Sequence, residues 1–272
     1  MPLRLDSITS SRDNSNLIAR MMHIGTKEFD SIYATPDKRF ILMKKTLIDC
    51  LSRDPIGEMV LTLRVAEKEK QLQFLDMDII LLNDIDCRVR FLELKEDSSD
   101  ANEYYEIETV DEGSHLIVET VNRHTEAQDL VDTERNVGIS MFPFHIGVFK
   151  DMKEVNRWAE IPEFMESGIP GYQIAGLSDR FCMPGGMMDA KTEKNGGYSF
   201  VIGKVKSFRD VMLDFNGDRL PFVLAKVDTA AGVVPVAMGR DVFDLSKLTI
   251  GCIVAMDTVV KVDVAKPGVF RR

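Results

Sequence analysis

Cysteine and long apolar runs are both scarce in this sequence. Its 272 residues include four cysteines, Cys50, Cys87, Cys182 and Cys252, which lie more than 30 residues apart and form no C-x-x-C pair. This spacing argues against a disulfide framework and for reduced thiols. No stretch approaches the roughly 18 consecutive apolar residues of a membrane span, and no secretion signal begins the chain. We therefore expect a soluble cytoplasmic protein with free cysteines and no membrane partner.

Basic residues are outnumbered by acidic ones, 34 to 44, which gives a net charge of −10. A charge of this sign argues against a protein that coats nucleic acid or anionic membranes. The excess of acidic over basic residues is confined to one part of the chain. Residues 195–272 carry 11 Lys and Arg against 8 Asp and no Glu, a net of +3, so residues 1–194 carry −13. Such a change of sign is typical of a domain boundary.

Glycine is concentrated just before this change of sign. Seven of the 18 glycines fall within residues 166–197, and irregular segments of this length are uncommon unless they are linkers or functional loops. We therefore predict three parts: an acidic α+β domain over residues 1–165, a glycine-rich linker or flap over 166–197, and a small β-domain over 198–272.

The acidic part combines helix and strand patterns. Thr35 and Pro36 suit the start of a helix, and Phe40, Met43 and Leu47 continue it at a spacing of three to four residues. Alternating apolar residues then predict an antiparallel meander. Its strands are expected around Met59–Val65, Leu72–Phe74, Ile79–Leu82, Val89–Phe91, Ile107–Thr109 and Leu116–Val118. A polar helix over 126–135, a strand over 139–142 that ends at Pro143, and a helix over 151–158 complete the α+β prediction.

The segment from Tyr198 onward has the order of elements of a small barrel. Three strand patterns, the first containing Gly203 as a point of bending, precede a short helix pattern within Gly239–Leu248. Two further strands are expected on either side of Asp257 and Thr258. In this order the segment resembles an OB fold, a five-stranded barrel. The resemblance implies binding of oligonucleotides, oligosaccharides or proteins, although a loop of two residues after the fourth strand shortens the usual clamp.

Binding of single-stranded nucleic acid requires stacking rings and a cationic groove. The residues of the barrel that could supply them are Phe200, Lys204, Lys206, Arg209, Phe222 and Lys226. The competing interpretation places both phenylalanines in the core and the lysines in solvent, and it is favoured.

Cys182 is the best candidate for a nucleophile. Arg180 and the glycines of the Pro184-Gly185-Gly186 run could give it an electropositive setting, and His145 could serve as its base. The competing interpretation is a small apolar residue that anchors a loop.

Metal and cofactor motifs are missing. His115 and His124 lie too far apart for a compact zinc site, and the aspartates between residues 76 and 86 do not follow a calcium loop. The glycines of 166–197 do not match a phosphate-binding motif. No metal and no cofactor are predicted.

Two functions remain open at this point. The first is a non-enzymatic binding or assembly protein that acts through its OB-like domain and the surface between domains, with a protein partner or a second copy of itself. The alternative is a thiol-dependent hydrolase or acyl transferase that uses Cys182 with His145.

Overall fold

Strands account for nearly all of the regular structure. In a computed structural model of the chain, 71% of the described residues lie in strands and 4% in a single short helix. The predicted α+β class is therefore wrong, and the protein is an all-β protein of two sheets. The residues described are 29–34, 39–66, 71–83, 86–96, 104–121, 130–159, 178–185, 198–215 and 218–264.

The elements are numbered in chain order. They are β1 (Ser31–Ala34), β2 (Phe40–Ile48), β3 (Pro55–Ala66), β4 (Gln71–Leu81), β5 (Cys87–Glu96), β6 (Tyr104–Thr109), β7 (His115–Val121), β8 (Glu134–Phe149), α1 (Met152–Ala159), β9 (Phe181–Pro184), β10 (Ser199–Phe215), β11 (Asp218–Thr229), β12 (Gly232–Gly239) and β13 (Ile253–Asp263).

Strands β1 to β4 form an antiparallel sheet in chain order, called here the small sheet. The helix predicted to start at Thr35 is wrong, because its described part from Phe40 is strand β2. Both faces of β2 are covered: Met43 packs in one core cluster and Leu42 in another. A strand that is buried on both faces does not alternate polar and apolar residues, so its pattern can also match the spacing of a helix.

The other nine strands form a second sheet in the order β11-β12-β8-β5-β6-β7-β13-β10-β9, with additional pairings of β10 to β11 and β8 to β13. These pairings make two closed circuits. The first ring consists of β8, β13, β10, β11 and β12, and the second ring of β8, β5, β6, β7 and β13. A single parallel pair, Val236 with Met141, closes the first ring between β12 and β8. Strands β8 and β13 belong to both rings, and one core cluster runs through the two.

The OB-like barrel predicted beyond Tyr198 is therefore wrong as a separate unit. That segment supplies four strands, β10 to β13, and the circuit they enter is completed by β8. The helix predicted within Gly239–Leu248 is a series of turns. The two strands predicted around Asp257 and Thr258 are one strand, β13. The division of the chain at residues 166 and 198 adjoins residues outside the described ranges and stays a prediction.

Gly203 lies where β10 changes partner. Residues 199–203 pair with β13, and the strand pairs with β11 from Lys204 onward. A Cβ atom at Gly203 would lie 2.5 Å from Val227 Cγ1 and 2.9 Å from the carbonyl oxygen of Asp228. Gly203, which the sequence analysis identified as a point of bending, is thus required because β11 approaches too closely for a side chain at this position.

The helix predicted over 151–158 is confirmed as α1. Asp151 caps its start, since Oδ1 accepts hydrogen bonds from the backbone N–H groups of Lys153 and Glu154, both at 3.0 Å. Val155 is fully buried against Phe149 and Phe200 on the outer face of the rings. The helix therefore covers one end of that face. The polar helix predicted over 126–135 is absent from its described part, residues 130–135.

A buried ion cluster joins the two sheets. Lys261 of β13 has no exposed surface and contacts both Asp78 of β4 and Glu119 of β7, with its Nζ atom 2.9 Å from Glu119 Oε2. The Asp78 side chain is 3% exposed and that of Glu119 is fully buried. Charges removed from water to this extent are tolerated only when they are paired. This ion cluster thus connects the small sheet to the second ring. An apolar core cluster connects the small sheet to the first ring.

Ser199 holds together two strands that do not pair at this point. Its hydroxyl accepts a hydrogen bond from Ile117 N–H at 2.9 Å and donates one to Ile117 C=O at 3.0 Å. Ser199 lies at the start of β10 and Ile117 lies in β7, which pairs with β13 only over residues 119–121. Both residues are buried. One side chain thus replaces the backbone partner that the sheet does not provide.

Candidate ligand-binding cleft

A cleft of about 440 Å³ opens on the outer face of the rings, beside the surface covered by α1. Its floor is formed by β8, β13 and β10, and one wall by the turns after β12. The lining residues are Phe144, His145, Ile146, Gly147, Phe200, Val242, Phe243, Asp244, Ala255 and Asp257. The volume falls within the range of about 300 to 1,000 Å³ that is usual for small-molecule sites.

A bulge in β8 shapes the floor of the cleft. Asp257 pairs with His145, whereas the next residue, Thr258, pairs with Pro143, so Phe144 has no partner in the register. Pro143 has no N–H to donate, which favours such an irregularity. The strand predicted to end at Pro143 therefore continues to Phe149. At the bulge, Phe144 is 36% exposed and lies at the rim of the cleft.

Asp257 and His145 form the charged pair of the cleft. Asp257 Oδ2 lies 3.5 Å from His145 Nδ1, and the two side chains are 14% and 73% exposed. The other carboxylate oxygen, Oδ1, is buried and accepts no hydrogen bond from any described residue. Burial raises the pKa of Asp257, and the interaction with His145 opposes this rise. The carboxylate is therefore poorly hydrated and incompletely paired.

Three phenylalanines, Phe144, Phe200 and Phe243, line the cleft together with Asp257. Phe144 packs edge to face against Tyr198, with ring centroids 5.4 Å apart. Phe200 lies under the floor in the outer core cluster, and Phe243 is half-buried in the wall. Asp244 lies next to Phe243. Hydrogen bonds from the Ser246 side chain and from the Ser246 backbone N–H lower the pKa of Asp244. The cleft thus combines apolar surface with two carboxylates.

The predicted pair of Cys182 and His145 is not brought together. Cys182 pairs with Val201, Val201 with Met256, and Met256 with Ile146, the residue after His145. Paired residues share a face of the sheet, and successive residues along a strand point to opposite faces. Cys182 and His145 therefore project from opposite faces, and three strand spacings, about 14 Å, separate their strands.

The surroundings of Cys182 also differ from those of a nucleophile. The residue is 6% exposed, and burial raises the pKa of its thiol to about 12. Arg180, expected to provide positive charge, instead forms ion pairs with Glu112 and Asp228, each at 3.1 Å. The thiol belongs to the large core cluster.

A thiol probe should therefore label Cys50 of the native protein first. Cys50 is exposed, whereas Cys182 and Cys252 are buried. A rise in the pKa of Cys182 from 9.0 to about 12 reduces its thiolate fraction about a thousandfold. We expect Cys50→Ala to remove the fast phase of labelling, measured with a chromogenic disulfide at neutral pH, and Cys182→Ala to retain it. Loss of the fast phase in Cys182→Ala would support the thiol enzyme instead.

The residues predicted to bind nucleic acid do not form one surface. Phe200 and Phe222 are each 1% exposed and belong to different core clusters. Lys206 pairs with Asp228 at 2.9 Å, and Arg209 pairs with Asp49 at 2.8 Å. Lys204 and Lys226 are exposed. The two rings cannot offer a stacking platform from these positions.

Among the described residues, no group of three or more His, Cys, Asp or Glu side chains could hold a metal ion. His115 contacts Glu106, with Nδ1 2.9 Å from Oε1. His124 lies outside the described residues.

Asp257, Phe144 and Asp244 were missed by the sequence analysis. Asp257 and Thr258 were assigned to a loop because two polar residues interrupt an apolar run. The useful signal was the acidic residue itself, since a carboxylate inside an otherwise apolar strand is unusual and often has a functional role.

No helix in the described part of the chain is both long enough and apolar enough to cross a membrane. The fold and the cleft provide the basis for a function, because similarity provides none. Comparisons with protein-family models, with curated proteins and with solved structures find no match for this chain.

Proposed function

We propose that the chain is a binding protein rather than an enzyme, and that it holds a small molecule in the cleft beside Asp257. The proposal depends on one observation above all. A carboxylate at the bottom of an apolar cleft keeps one oxygen that accepts no hydrogen bond from any described residue. Buried polar atoms without partners are costly and are concentrated at functional sites.

The lining supports binding more than catalysis. It contains no Ser, Thr, Cys, Lys or Tyr among the described residues, so the nucleophiles it offers are limited to its Asp and His side chains. His145 is largely exposed, and its 3.5 Å separation from Asp257 is long for a hydrogen bond. Most of the remaining lining is apolar, as in sites that enclose a ligand. A protein partner, self-association and a cytoplasmic location stay predictions.

Ligand-detected NMR with three probes of one shape tests this proposal. The probes are benzylamine, benzyl alcohol and benzoate. We expect at least one to show saturation transfer from the protein and to be recovered unchanged. Val242→Trp, which adds volume from the wall of the cleft, should abolish the signal because Val242 lines the cleft.

The matched control is Ile250→Trp. Ile250 is 72% exposed and lies outside the cleft, on the same connection between β12 and β13. This variant should bind the probes as the parent protein does, and circular dichroism should show that both variants keep their strands. Absence of binding by all three probes, or equal binding by both variants, would reject the cleft as the site.

A further inference from the structure

We infer that the ligand of the cleft is a small organic cation, an amine with an apolar body. This inference rests on the proposed function and adds the chemical class of the ligand. Three features of the cleft lead to it: the sign of its charges, its rings, and the shape of its floor.

The charges that face the cleft are of one sign. Asp257 and Asp244 are in the lining, and no Lys or Arg is among its described residues. Asp244 and His145 are both exposed and are therefore placed at the rim, so Asp257 is the enclosed charge. An anion would meet the enclosed Asp257 carboxylate and no Lys or Arg of the described lining, whereas an ammonium group would meet complementary charge.

The unpartnered oxygen of Asp257 needs a donor. His145 lies beside Oδ2 and leaves Oδ1 without a hydrogen bond from any described residue. An ammonium group carries several N–H donors, so it can approach this carboxylate while its charge offsets that of the acid. Oδ1 itself is buried, and the 14% of the Asp257 side chain that is exposed is the part that a ligand can reach. An uncharged donor could form the bond but would not offset the charge.

The rings favour the same ligand. The exposed part of Phe144 and the half-buried Phe243 border the space next to the carboxylate. Aromatic faces attract cations through their quadrupole and also cover apolar groups. Val242 and Ala255 complete an apolar surface for the rest of the molecule.

Dissociation constants of the three benzyl probes test this inference, measured by NMR titration at neutral pH. Benzylamine, which is protonated there, should bind about tenfold or more tightly than benzyl alcohol, because a hydrogen bond to a charged group is the stronger one. Benzoate should bind more weakly than either. Asp257→Asn should reduce this preference for the amine about tenfold, while His145→Gln should retain it.

The control for charge is Asp86→Asn. Asp86 is exposed just before β5 and does not line the cleft, so the variant loses the same charge elsewhere. It should keep the full preference for benzylamine. The outcomes separate the two proposals. Benzyl alcohol or benzoate binding as tightly as the amine, or equal effects of the two Asp variants, overturns the inference on ligand class and leaves the binding cleft intact. Binding of none of the probes overturns the cleft itself.

Discussion

Replacing Lys261 by methionine should lower the free energy of unfolding by about 3 to 5 kcal/mol, the cost of breaking a buried ion pair. The lysine is fully buried between Asp78 and Glu119, and these two carboxylates would lose their shared cation. Methionine keeps most of the volume of the side chain, so the loss reports charge rather than a cavity. Urea unfolding at neutral pH measures it.

Two further variants serve as comparisons for this result. Lys206→Met removes an exposed lysine whose pair with Asp228 should contribute about 0 to 1 kcal/mol. Adding Asp78→Asn and Glu119→Gln to Lys261→Met should recover much of the lost stability, because it removes the unpaired charges as well. A Lys261→Met protein as stable as Lys206→Met would show that the cluster does not hold the sheets together.

Ser199→Ala should cost about 2 to 4 kcal/mol of unfolding free energy. The serine hydroxyl is bonded to both backbone groups of Ile117, and each buried group left unsatisfied costs about 1 to 3 kcal/mol. Alanine fits the same space, so packing changes little. Unfolding by urea, followed by circular dichroism, gives the difference.

Ser140 provides the matched control. It is also a buried serine in a strand, but its hydroxyl oxygen has no hydrogen-bond partner among the described residues. Ser140→Ala should therefore leave stability unchanged or increase it. If the two alanine variants lost the same stability, the hydrogen bonds of Ser199 would not be the cause.

The sequence predicted where most strands lie, but not which strands pair. Alternation marked Met59 to Val65 and Leu116 to Val118 as strands, and both lie within observed strands. Pairing between β8 and β13 joins residues more than 100 positions apart, and no local pattern encodes it. The change of charge near Asn195 lies between β9 and β10, which pair in one sheet, and composition does not encode that pairing.

The candidate site illustrates the same limit. Cys182 and His145 were paired because their chemistry is compatible. The face of a sheet to which each side chain points depends on strand register, however, and the sequence did not provide the register. Asp257 became a candidate only when its neighbours were known, since a carboxylate at one position can be solvated or enclosed depending on the strands beside it. Gly203 could be selected from sequence, because glycine weakens a strand and usually marks a bend or the close approach of another backbone.

The sharing of β8 and β13 between both rings affects how the protein can fold. In the described part of the chain, β13 follows every other strand, so during synthesis residues 134–149 leave the ribosome long before their partner. Until then each circuit is an open sheet with unpaired edges, and its edge strands can pair with the wrong partner. Closure of both circuits in one late step would make folding slow, as expected when native contacts join distant residues.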